Sequence, residues 1–510
     1  MSSEVEIGKK GMTFDDIENI ARKGARVNIS KDAEKEFAKG RALVDKWVKE
    51  GRKIYGVTTG FGALSEVTIS GKDTIKLQRN ILLSHSAGVG KPLPKDVVRA
   101  MMAIRLSDFC LGRSGLCLNT INTLAALLNS DIIPVVPEKG SVGASGDLAP
   151  MAHISLVLIG EGEAFVDGKK MTGAEALEKY SIQPVELQAG EGLALINGTQ
   201  MMAAIGALAL IDIGNLCKHA DIAATMSLEV LLGTRTAFDS RIHKARPHPG
   251  QQIVAANMLK ISEKSEIISS HKDCARIQDA YSLRCSPQVH GATLDTVNYA
   301  KRVIETEMNS STENPLIFTD SEDFISGGNF HGQPVALVLD FLSIAVAELA
   351  SISERRIERL VNPNLSGLPA FLIENGGLNS GFMIAQYTAA ALVSDNKVLA
   401  HPSCVDSIPT SANKEDHVSM GANGARKLMR IIENVEEVIA IELLAAAQGY
   451  DLFTNLKGGI GTKAAHDMIR TKVDYLQEDR LIANDMNIVK ELLKTGKIID
   501  AVEGKTGKLE

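Results

Sequence analysis

Between a proline-containing approach, DIIPVVPEK, and an apolar run, MAHISLVLIG, the chain carries GSVGASGDLAP over residues 140–150. At its centre Ala144, Ser145 and Gly146 are small, adjacent and preceded by Gly143. That combination permits covalent chemistry of the backbone itself. Attack of the Gly146 nitrogen on the carbonyl carbon of Ala144 closes a five-membered ring around Ser145. Loss of water from the ring, and of the Ser145 hydroxyl as a second water, leaves an imidazolone bearing an exocyclic methylene. Glycine suits the attacking position because it has no Cβ to obstruct the compressed approach. Serine supplies the leaving hydroxyl, and alanine keeps its carbonyl accessible. The product is an electrophile, which no unmodified side chain provides. Other readings of the segment are poorer or blander. It lacks the Gly-Lys-Ser/Thr ending of a phosphate loop, the Gly-x-Ser-x-Gly spacing of a nucleophile elbow and the strand–turn–helix setting of a dinucleotide fingerprint. An inert turn capped by Asp147 at the head of a helix accounts for the residues about as well as the ring does.

Positioning such a loop takes a large core, and 510 residues with 45% hydrophobic and 23% charged content can build one. Aromatic residues make up only 4%, and the long segments are rich in Ala, Leu, Ile, Glu and Lys, which favours helix. The first two hundred residues are broken often by glycine and proline. There Asp167-Gly168 in EAFVDGKKMT suits a two-residue hairpin turn. Beyond about Asn197 long helical patterns take over. In LDFLSIAVAELASISERRIERLV, Leu342, Val346, Leu349 and Ile352 recur at helical steps, with Glu348, Glu354, Arg355 and Glu358 among them. KLMRIIENVEEVIAIELLAAAQ and FMIAQYTAAALVSDNKVLA repeat the pattern. A mainly α protein is expected: a mixed N-terminal domain over residues 1–200 carrying the loop, then a long-helix bundle and oligomerisation domain over 201–510.

A net charge of −7 gives no general attraction to nucleic acid or an anionic membrane. The six cysteines, Cys110, Cys117, Cys217, Cys274, Cys285 and Cys404, form no C-x-x-C pair, which argues for reduced thiols in a cytoplasm. The opening MSSEVEIGKKGMTFDD lacks the apolar core of a secretory signal. GLALINGTQMMAAIGALALIDIG is apolar enough to resemble a membrane span, but Asn197, Gln200 and Asp212 fit a buried bundle helix better. His243 and His248 are five apart across a proline-containing segment, not on one helical face, and no catalytic metal is expected.

Ala144-Ser145-Gly146 followed by DLAP resembles the self-processing tripeptide of the aromatic amino acid ammonia-lyases, which carry 4-methylidene-imidazol-5-one. YGVTTGFG, LLSHSAGVGKPL, EGLALINGTQ, QDAYSLRCSPQ, STENPLIF and GGNFHGQP resemble further blocks of that family, in the family's order. ENGGLNSGFMIAQ and SANKEDHVSM point to the branch that acts on L-histidine. The long insertion of the plant phenylalanine-specific members is absent. The resemblance implies elimination of ammonia and a β-proton, giving trans-urocanate from L-histidine. It also implies a homotetramer whose active sites draw on several chains, with no metal and no diffusible cofactor. A relative acting on tyrosine or phenylalanine, or an aminomutase returning ammonia to the β-carbon, is the nearest alternative. A helical scaffold without catalysis would keep the loop unmodified.

By the same resemblance, Tyr55 matches the proposed β-proton base. A free phenol titrates near pH ~10, so its surroundings must hold it partly ionised. Arg284 matches the residue that grips the substrate carboxylate in a bidentate fork. Asn197, Gln278 and Tyr281 match polar positions that hydrogen-bond the substrate or the prosthetic group, and Asn314 and Phe330 match positions lining the site. Substrate choice rests on Ser84-His85, where tyrosine-using relatives often have His-Leu and phenylalanine-using ones Phe-Leu, and on Glu415, where both usually have glutamine. A carboxylate at 415 can accept from an imidazole or pair with its protonated form. Beside an unsubstituted phenyl ring it would be desolvated without a partner. The chain departs from the histidine-branch pattern at Gly332-Gln333, at His290, where methionine is commoner, and at Lys414.

Overall fold

Apolar residues at three- and four-residue spacing produce helices wherever the sequence repeats them. The computed structural model describes residues 4–8, 10–65, 67, 69, 73–272 and 277–510; Cys274 lies outside them. The stripe Leu342, Val346, Leu349 is fully buried, and Ile352 nearly so, on helix Gln333–Val361. Each such side chain contributes roughly 1.5–3 kcal/mol relative to exposure. The other two patterns form helices Gly421–Tyr450 and Met383–Leu399. Not every polar residue of the first faces water. Glu354 is buried and accepts from Gln386 Nε2 at 2.8 Å, and Arg356 is buried against Glu442.

The chain divides into two compact units. One comprises the described residues of Met1–Leu208, Lys301–Asp340 and Pro402–Arg426; the other comprises those of Ala209–Ala300, Phe341–His401 and Lys427–Glu510. The first thus extends the opening two hundred residues with two segments from later in the chain, because the long helices carry the chain from one unit to the other. All four named sheets belong to this first unit. Glu4–Ile7 pairs in parallel with Arg26–Ile29. Val89–Pro92 runs antiparallel to Pro137–Lys139, and Leu316–Phe318 to Asp323–Ile325. Ile133–Pro134, Glu163–Val166 and Lys169–Thr172 make an antiparallel three-strand sheet. Its hairpin turns at Asp167 and Gly168, with φ of 49° and 75°, the left-handed pair that matches strand twist. The second unit carries no named strand among the described residues.

Among the described residues, two helices, Gln200–Val230 and Gln333–Val361, are long and apolar enough by composition to cross a membrane. In the first, 78% of the most apolar window is buried inside the protein, the setting of a bundle core.

Candidate active site

The residues that hold the segment around Ala144–Gly146 belong to the first unit. Gly146 lies in the left-handed region, φ +70°, and bridges in parallel to Gly198. A Cβ there would overlap the Gly198 carbonyl, so only glycine fits. Asp147 N–H donates to that same carbonyl at 2.6 Å. Ser141 Oγ lies 3.2 Å from Gly146 O and 3.0 Å from Asp147 Oδ1, and accepts from Gly143 N–H at 3.1 Å. Gly143 O accepts from Ser419 Oγ at 2.8 Å and from Gly332 N–H at 3.3 Å. Ala144 packs into a small apolar cluster with Val142, Val418 and Met420.

Helix Leu148–Leu158 starts two residues after Gly146, so its positive end lies beside the loop. Asp147 does not cap that helix with its side chain. Its carboxylate instead accepts from Met202 N–H at 3.0 Å, in the first turn of helix Gln200–Val230. Complete burial pushes the Asp147 carboxyl up to about 6, against the lowering effect of those hydrogen bonds.

Ser145 meets Glu415. Ser145 Oγ donates to Glu415 Oε1 at 2.8 Å, and Thr410 Oγ1 donates to Oε2 of the same carboxylate. Backbone bonds between Thr410 and Glu415, 3.0 and 3.3 Å, close the turn that presents it. Glu415 also acts on two other predicted residues through its charge. It raises the Tyr55 phenol, on top of the larger raising effect of burial, while the Gly62 N–H donated to Tyr55 Oη at 3.0 Å lowers it. The net direction is upward, so this chain's own surroundings oppose the ionisation that the family role asks of Tyr55. His85, the last residue of helix Thr74–His85, is pushed down chiefly by burial, with Glu415 pulling the other way. Its Nδ1 lies 2.9 Å from Ile81 O. A carbonyl only accepts, so Nδ1 carries the proton and Nε2 is left as an acceptor. The Phe61 ring lies 5.1 Å from the His85 ring, centroid to centroid.

Asn197 Nδ2 donates to Ser145 O at 3.0 Å. The residue follows helix Glu191–Ile196, whose last turn is tied down by buried Arg105 donating to Ala194 O. Asp108 balances that guanidinium at 2.9 Å, and accepts at the same oxygen from Gln200 and Thr312. Asn314 shares the wall of a small cavity with Tyr55 and Leu193, and its Oδ1 accepts from Gly327 N–H at 2.9 Å. Phe330, half-buried, stands two residues before the Gly332 that bonds the loop.

The structure thus brings Tyr55, His85, Ser145, Asn197 and Glu415 to one place. Gln278, Tyr281 and Arg284 belong to the second unit. There Gln278 is exposed, Tyr281 is 71% exposed, and the Arg284 guanidinium lies over the Tyr281 ring at 4.8 Å. Sequence reasoning missed Ser141, Gly198 and Thr410. A glycine directly after Asn197 was the one available hint of a close backbone approach; nothing marks Thr410 as the holder of a carboxylate five residues on.

The residues fit a ring built from Ala144, Ser145 and Gly146. The glycine has the conformation and the missing Cβ that cyclisation needs, the serine hydroxyl is held by one carboxylate, and Asn197 Oδ1 is buried without a hydrogen-bond partner. Among the described residues, no group of three or more His, Cys, Asp or Glu side chains could hold a metal ion.

Residues 12–471 match the family model of the aromatic amino acid lyases. Histidine ammonia-lyase of Alkaliphilus oremlandii is 54% identical over 500 residues, 98% of each chain. The crystal structure of histidine ammonia-lyase from Trypanosoma cruzi superposes with a TM-score of 0.92 at 42% identity, over 98% of this chain and 95% of that one. Tyrosine aminomutase from Streptomyces globisporus superposes with a TM-score of 0.94 at 35% identity, over 99% and 100%. Sequence, fold and loop geometry agree that the chain belongs to the aromatic amino acid lyase family.

Proposed function

We propose that this protein is a histidine ammonia-lyase that converts L-histidine to trans-urocanate and ammonia, and that Ala144, Ser145 and Gly146 cyclise to 4-methylidene-imidazol-5-one. The hydrogen bond between Ser145 and Glu415 carries this reading: it sets a carboxylate, which suits an imidazole and penalises a phenyl ring, against the residue that becomes the electrophile. Once formed, the ring supplies an electron-poor carbon that activates the substrate for elimination. Glu415 then accepts from, or pairs with, the substrate imidazole. Arg284 takes the carboxylate in a bidentate fork, with Tyr281 and Gln278 beside it, and Tyr55 Oη receives the β-proton. Because burial and Glu415 both push the Tyr55 phenol up, its ionisation is assigned to groups that neighbouring subunits of a cytoplasmic homotetramer bring to the site.

Two measurements test the proposal. L-Histidine should yield the near-ultraviolet absorbance of urocanate, whereas a β-amino acid product would make the protein an aminomutase. Intact mass of the native chain should be two water molecules below that of its translated sequence, and the Ser145→Ala variant should show no such loss and no turnover. Full activity from a chain of unreduced mass would overturn the reading.

A further inference from the structure

The helix that carries Tyr281 and Arg284 is only four residues long, Tyr281–Arg284, too short to hold its own shape. Its position depends on outside partners. On one flank Asp279 accepts from Thr234 N–H at 2.7 Å. On the other, Ser282 O accepts from Ser286 Oγ at 3.1 Å and from Arg356 Nη1 at 3.3 Å. Arg356 is fully buried, and Glu442 grips its far edge, Nε to Oε1 at 2.5 Å and Nη2 to Oε2 at 2.9 Å. Ser227 and Ser353 also donate to that carboxylate, at 2.7 and 2.6 Å.

The remaining neighbour of Arg356 Nη1 is His290 Nε2, at 3.5 Å. His290 is itself buried, with Nδ1 2.8 Å from Asp221 Oδ1. A guanidinium cannot accept, so Nε2 must, and the ring proton then sits on Nδ1 and goes to Asp221. Asp221 Oδ2 accepts in turn from Asn257 Nδ2 at 3.0 Å. Only the neutral Nδ1–H tautomer satisfies both ends of the imidazole. The two N–H groups of Arg356 Nη1 are thereby divided, one for His290 and one for the Ser282 carbonyl between Tyr281 and Arg284.

We propose that His290 is a positioning residue for the substrate carboxylate: by orienting Arg356 it fixes the Ser282 carbonyl and hence the turn that presents Arg284. The inference rests on the reading above that Arg284 grips that carboxylate. A methionine at 290 would leave Arg356 Nη1 and Asp221 Oδ1 each short of a partner, so this chain holds its carboxylate-binding turn by a contact that the commoner residue cannot make.

The test uses the assembled full-length enzyme, steady-state kinetics with L-histidine, and inhibition by histamine, the same molecule without its carboxylate. His290→Asn keeps a donor for Asp221 and removes the acceptor for Arg356. It should raise KM for L-histidine about threefold to tenfold, the worth of one buried hydrogen bond, with kcat within about twofold and the histamine Ki unchanged. His290→Gln, whose amide oxygen can stand in for Nε2, should restore KM. An unchanged KM in His290→Asn, an equal rise in the histamine Ki, or no rescue by glutamine would each overturn the proposal. Should the asparagine variant fail to fold, His290→Met removes the same acceptor, and an unchanged KM there overturns it equally. Arg284→Ala separates the underlying reading. If it weakens L-histidine and histamine alike, Arg284 is not the carboxylate grip; if it weakens L-histidine alone while His290→Asn is silent, only the role of His290 falls.

Discussion

Replacing Glu415 by glutamine removes a charge and little else. Before the ring forms, both carboxylate oxygens accept hydroxyl protons, from Ser145 at 2.8 Å and from Thr410; once the Ser145 hydroxyl has left as water, Thr410 remains. Glutamine keeps one of those acceptors, and hydroxyl rotors can turn to meet the new amide, so the loop should hold its shape. What disappears is the charged partner for the substrate imidazole. A hydrogen bond to a charged group contributes about 1.5–3 kcal/mol, so kcat/KM for L-histidine should fall roughly ten- to 150-fold. Phenylalanine, which has no ring donor, should lose nothing and gain if it is turned over at all, because the desolvated carboxylate no longer faces its ring. The pH profile supplies an independent readout. The Glu415 charge holds the Tyr55 phenol up, since a nearby anion disfavours phenolate. Its removal lowers that pKa, and the limb of kcat/KM that rises with pH should move to lower pH. The assay is urocanate absorbance and its phenylalanine counterpart across pH. A fall shared equally by both substrates, or less than about twofold for histidine, would refute the reasoning.

Gly146→Ala places a side chain in the left-handed region and against the Gly198 carbonyl. The conformational term alone costs about 1–2 kcal/mol, so the variant should melt lower, keep its full translated mass and lack turnover; an active variant of reduced mass would contradict this. His219 is fully buried, and burial depresses it to about 4 despite the Asn215 carbonyl beside Nδ1. A depressed histidine leaves the unfolded chain binding the proton first. Its contribution is therefore complete above about pH 6.5 and lost as pH falls towards 4, by up to about 3 kcal/mol. The gap in urea midpoint between the parent and His219→Gln should narrow over that range as the solution is acidified; a constant gap would show that His219 is not the titrating group.

Local chemistry was readable because it depends on neighbours in sequence. Ala-Ser-Gly declares a possible ring since the attacking nitrogen, the carbonyl and the leaving hydroxyl lie within three residues. Asp167-Gly168 declares its hairpin by backbone preference, and the stripe on Gln333–Val361 declares a buried face by period alone. Polar residues on that helix were harder. Glu354 and Arg356 have the composition of a wet face, yet both are buried, because partners from other helices, Gln386 and Glu442, satisfy them. The residues of the candidate site were nameable one by one through the family resemblance, but the hydrogen bonds among them were not.

Those bonds are what the fold decided. Glu415 in SANKEDHVSM reads as a solvated turn until chain folding brings it to Ser145, 270 residues earlier. The direction of the Tyr55 titration, upward, follows from how deeply the phenol is buried and from which charge stands near it, and neither is encoded within YGVTTGFG. Likewise Asp147 looks like the cap of its own helix and instead caps another that begins more than fifty residues on. Sequence alone determined which atoms could react and which segments would be helical, because bond connectivity and backbone preference are local. Tertiary structure alone decided which charges meet and which groups lose water, because Coulomb and desolvation energies depend on distances that only the folded chain defines.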